Sequence, residues 1–314
     1  MSKPPSTRLS KSLANIKIWA GGGLTANLDA IENYIRNKER LAVACDEIFL
    51  LGKNGIGASL KHTPDQSRLK QTNRLAAGIL KVLIADSMII RSLLNSNSTG
   101  IDDLDNVTHI MFCALATGQF AIIEPFHRAV FAGINGGYGI EDGHNLPLGT
   151  TLRYAAFGLA IIGDWLGKPL DLDKHALPRD PAWGQLVAHW REPDPEKLLP
   201  ILMAACDTHV ERIALNSREL DSGNFEFGSP FEAVYPAEIL AILNLRRSLK
   251  LANPFIDHPL MTTPYAALTC PPGTRLDEDE LLERFLIAVC KYNPEAMPEG
   301  LYEAILPNPP VRGV

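Results

Sequence analysis

The sequence predicts an all-α protein, an antiparallel multi-helix array of about ten helices, and three observations predict it. Helix starts that join a capping side chain to a proline recur along the chain. Apolar residues return at spacings of three and four. Sustained apolar-polar alternation bounded by hairpin turns is hard to find.

Taken in order, Leu28 to Leu51 is the first apolar stretch with helical spacing. Thr63-Pro64-Asp65-Gln66 is a cap, a proline and an early acid, and it opens a pattern that places Leu69, Leu75, Ile79, Leu83, Ile90 and Leu94 near one side of a helix. Leu104 to Ala116, Phe120 to Phe131 and Leu152 to Leu166 follow. Asp180-Pro181 begins a short helix with Trp183, Val187 and Trp190 on one stripe. Asp194-Pro195-Glu196 begins the next, aligning Leu198, Leu202, Ala205 and His209. In GSPFEAVYPAEILAILNLRR, Ser229, Pro230 and Glu232 make a complete start, yet Pro236 follows at once. A proline inside a helix removes a backbone donor and crowds the carbonyl four residues back. The stretch therefore reads as a capped turn over Ser229 to Val234 and a new, mostly buried helix from Pro236 to Leu249. Leu281 to Cys290 is the last, with Asp277 to Glu280 favouring its positive end.

The small polar residues of NSNSTGIDD, Asn95 to Asp103, mark the best boundary, giving an N-terminal helical region (1–98) and a C-terminal helical domain (99–314), two halves that pack or run on as one. Gly133 to Gly149 reads as a long glycine-rich loop. Gly52 and Gly55 read as a helix C-cap and connection, since no strand or lysine-serine pair makes them a phosphate loop.

At 314 residues and 46% hydrophobic, the chain can bury a large core. Its net charge of -6 and pI near 5.8 speak against a general nucleic-acid or anionic-membrane binder and allow a basic partner. Five scattered cysteines without a CxxC fit a reducing cytosol. With no signal-like run and no stretch of roughly 20 apolar residues, a cytoplasmic protein is expected.

Two Glu-x-x-His units, Glu124 to His127 and Glu141 to His144, are the sharpest catalytic candidates, because on a helix that spacing sets carboxylate and imidazole on one face. An enzyme built on Glu124, His127 and His144 is the alternative function. The second unit lies in the glycine-rich loop, however, and no further bridging glutamates suggest themselves, so no metal is expected. His209 reads as a satisfied core histidine, and Asp257-His258-Pro259 as a turn. From Arg218 to Glu238, five acids are interleaved with Phe225, Phe227, Phe231 and Tyr235. Two readings stand: a partner surface with aromatic anchors and steering charge, or aromatics turned inward and acids outward.

The succession CALATGQFAIIEPFHRAV, RYAAFGLAIIGDWLGK, AWGQLVAHWREPDPEKLLPILMAACDTHVERIAL and FEFGSPFEAVYPAEILAILNLRRSLKLANPFIDHPLM resembles the helical immunity proteins of bacterial polymorphic-toxin and type VI secretion systems, most of all the immunity protein 49 family. The resemblance covers roughly Asp103 to Pro264 and is one of layout: a helical scaffold, a segment with His209, an acidic stretch, an apolar helix and a proline-containing exit from Pro254 to Pro264. It implies binding and neutralising a cognate toxin without catalysis or cofactor, and it carries no catalytic residues. Glu226, Phe227, Phe231, Glu232 and Tyr235 are the expected toxin contacts, with Glu141 and Asp142 as a second patch.

Overall fold

The computed structural model describes residues 7–23, 25–61, 67–93, 104–135, 151–169, 171–175 and 177–306. Among them are fourteen α-helices and no β-strand. They are α1 Thr7–Gly21, α2 Leu28–Asn37, α3 Leu41–Leu60, α4 Arg68–Leu93, α5 Leu104–Ala116, α6 Ile123–Asn135, α7 Arg153–Leu166, α8 Pro181–His189, α9 Pro195–Glu211, α10 Ser217–Leu220, α11 Pro230–Val234, α12 Ala237–Ser248, α13 Glu280–Tyr292 and α14 Leu301–Ile305. Three 3-10 turns, Phe120–Ile122, Tyr265–Ala267 and Pro294–Ala296, complete the array.

The local starts form as their chemistry dictates. Asp180, Asp194 and Asp279 each accept a backbone N–H in the first turn of α8, α9 and α13, and prolines stand at the head of α8 and α9. Ser67 does the same for α4, accepting from Lys70 N; the expected start at Thr63 to Gln66 lies outside the described residues. At Lys38, with φ 55°, the apolar run from Leu28 to Leu51 divides into α2 and α3.

The glycines of α3 are not a C-cap. The helix runs through Gly52, Gly55 and Gly57 to Leu60 because α4 crosses it there. A Cβ on Gly52 would stand 2.7 Å from Gly78 O, and one on Gly78 would stand 2.7 Å from Gly52 O and 2.8 Å from Ile56 N. Gly52 faces Gly78 and Val82 while Gly55 faces Arg74 and Gly78, so the two helices run antiparallel with their backbones almost touching. A helix C-cap and a close crossing ask for the same residue, for different reasons.

α5 lies at the centre. Every residue of it except Asn106 is buried, and α4, α6, α7 and α12 pack around it. A helix buried nearly all round needs interior partners for its polar groups, here Asp105 to α7 and Thr108 to Leu104 O. The expected boundary at Asn95 to Asp103 lies outside the described residues. One hydrophobic cluster extends from Leu9 to Tyr302, and α1 lies on α11 while α2 lies on α13. Arg8 of α1 donates to Ile213 O at 2.7 Å and pairs with Glu219 at 2.6 Å.

Two glycine substitutions should have opposite signs. Gly78→Ala should lower unfolding free energy by about 1–3 kcal/mol, through overpacking at the crossing. Gly184→Ala in α8, where a Cβ meets nothing within 4 Å, should raise it by about 0.5–1 kcal/mol. Urea titration of both variants checks the pair.

Candidate partner-binding site

The expected contact stretch folds around its own caps. Ser229 Oγ accepts from Glu232 N at 3.2 Å, and Glu232 Oε2 accepts from the backbone N–H groups of Ser229 and Gly228 at 2.9 and 3.0 Å. That reciprocal capping box makes α11. Pro236 ends it, Tyr235 turns to extended backbone, and α12 begins at Ala237. Both helix starts in this stretch are real.

The aromatics of the stretch point into the protein. Phe227, Phe231 and Tyr235 are 1%, 3% and 0% exposed, and Glu226 is buried beside them. Phe227 is pulled in by a backbone bridge, with Ala214 N donating to Phe227 O and Phe227 N to Arg212 O. Its ring stacks on His209 at 4.0 Å between centroids. Phe231 stacks on Tyr235 and Trp19, and the Tyr235 hydroxyl donates to Leu268 O at 2.9 Å. The expectation that Glu226, Phe227, Phe231 and Tyr235 form an outward contact surface is therefore corrected: all four are interior. Glu232 is partly exposed, but its carboxylate is committed to the cap. Glu141 and Asp142 lie outside the described residues.

A core can hold these acids because each has its own partner. His209 Nδ1 is 2.7 Å from Glu238 Oε1 and His209 Nε2 is 3.2 Å from Ala233 O. Each ring nitrogen thus has an oxygen within hydrogen-bond reach, one from a carboxyl and one from the backbone. Tyr154 donates to the other Glu238 oxygen at 3.1 Å. Burial opposes ionisation of Glu238, yet the charge and hydrogen bond of His209 outweigh it and hold the carboxyl below its ordinary range.

A second cluster lies where α7, α8 and α9 converge. Arg212 bridges Glu226 at 2.5 Å and Asp180 at 2.8 Å, and Arg153 Nε stands 3.1 Å from the same Glu226 oxygen. Glu226 Oε2 has no hydrogen-bond partner. Burial pushes the Glu226 carboxyl up to about 7, against the pull of Arg212 and Arg153 and with Asp105 adding to the rise. Asp105 itself, from α5, accepts from the N–H groups of Thr151, Leu152 and Ala155 and so caps α7 from another helix.

Other groups suited to catalysis are turned away from solvent or from each other. His109 Nδ1 and Cys113 Sγ meet at 3.6 Å on α5, but burial lowers the imidazole to about 4 and holds the thiol well above its usual range, leaving a neutral pair. The Glu124-x-x-His127 unit diverges. Glu124 is exposed and pairs with Lys168 at 2.6 Å, while His127 is buried against Phe131 and is lowered to about 4 by burial. His144 lies outside the described residues, and no group of three or more His, Cys, Asp or Glu converges on a metal position among those described. A cavity of about 240 Å³ between α1 and α11 is lined by Ser12, Asn15, Asn216 and Ser229 among others, without an ionisable side chain. Another of about 500 Å³ lies beside Lys70, Arg74 and Asp277. None of the described helices is long and apolar enough to cross a membrane.

Set against protein-family models, curated proteins and solved structures, the chain matches none.

Sequence spacing alone gave no signal for Arg153, Asp180 and Arg212 as partners of Glu226, because no helical repeat relates them. The two ion clusters should respond oppositely to pH. Glu238, depressed below the ordinary 4.5, contributes stability that is present above that pH and lost as pH falls through its folded value. Glu226, raised, contributes stability present below 4.5 and lost as pH rises through about 7. Between pH 5 and 8 the native chain should therefore lose stability relative to Glu226→Gln, on the order of 3 kcal/mol. Denaturation midpoints at four pH values check this, and a pH-independent difference would contradict it. His209→Ala, which leaves the buried Glu238 carboxyl without its imidazole partner, should cost about 3–5 kcal/mol in the same assay.

Proposed function

We propose that this chain is an immunity protein of the kind the immunity protein 49 family represents, binding a cognate secreted toxin in the cytoplasm of the producing cell and blocking it by direct contact. The observation that carries the reading is where its chemistry-bearing groups lie. The stretch the resemblance covers, roughly Asp103 to Pro264, holds α5 to α9, α11 and α12, and its most deeply placed ionisable groups are committed to partners inside the fold: His209 to Glu238, Arg212 to Glu226 and Asp180, Asp105 to the head of α7. Ion pairs sealed in this way stiffen a scaffold and leave its outer shape to act. A rigid, pre-shaped surface is what inhibition by contact requires. The net charge of -6 suits a basic partner, since opposite potentials speed encounter.

Sequencing the genes on either side and co-expressing the chain with any toxin domain found there tests the reading. Growth should be restored, and the two proteins should co-purify as a stable complex. Undiminished toxicity together with no complex on size exclusion would sink it.

A further inference from the structure

We draw no further inference here: the strongest candidate, the buried cluster of Arg153, Asp180, Arg212 and Glu226 where α7, α8 and α9 converge, belongs to the site already described, and a pH switch built on it would rest on the raised pKa of Glu226 alone.

Discussion

A central helix with only Asn106 reaching toward water sets the terms for the rest of the molecule. α5 contributes Phe112, Met111, Leu115, Ile110 and Val107 to the interior, each worth about 1.5–3 kcal/mol if fully removed from water. Burial of the whole helix also takes its ends out of reach of solvent, and the unpaired carbonyls of its last turn must find donors inside the protein. Asn244 of α12 supplies them, its amide reaching Leu115 O, Ala116 O and Cys270 O at 2.8 to 3.0 Å, and Thr269 adds a hydroxyl to Ala116 O at 2.8 Å. Gly118 makes that approach possible. It turns at φ 81°, and a Cβ there would stand 2.2 Å from Pro271 O. α5 in turn supplies Asp105 to α7, whose own N-cap position, Leu152, offers no side-chain acceptor. The central helix is thus both capped by and capping its neighbours.

The interior ions follow from the same enclosure. Charges withdrawn from water are costly unless paired and fully hydrogen-bonded, and a pair seldom stabilises more than a well-packed apolar substitute would. His209 and Glu238 meet that condition with Tyr154 and Ala233 O completing their shells, whereas Glu226 keeps one oxygen without a donor. Burial pushes both carboxyls up; at Glu238 the contacts of His209 outweigh it, and at Glu226 the pull of Arg212 and Arg153 does not.

What could be read from the sequence was local. Caps at Asp180, Asp194 and Ser229, the acids at the head of α13 and the break at Pro236 act through atoms within a few residues, so their chemistry was visible in order along the chain. The all-α class followed from the same signals. Contacts between distant segments were not visible. The glycines of α3 looked like punctuation because the helix that presses on them, α4, lies some 25 positions further on. The carboxylates around Phe227 and Tyr235 looked incompatible with a core because their partners, Arg153, Arg212 and His209, come from other helices. The amphipathic α1 carried too weak a stripe, Leu9, Ile16 and Ala20, to stand out from the polar N-terminus.

Arg246 ties the end of α12 and the segment that follows it from Ala252 to the corner between α8 and α9, more than fifty residues earlier in the chain. Its guanidinium meets four backbone or amide oxygens and no carboxylate, so the junction is a planar template whose angles the ring of acceptors must match. Lysine carries the charge, but its three N–H donors radiate from one atom and could not span all four acceptors in the same plane. The segment after Ala252 is therefore ordered by folding itself, its conformational entropy already spent in the native state.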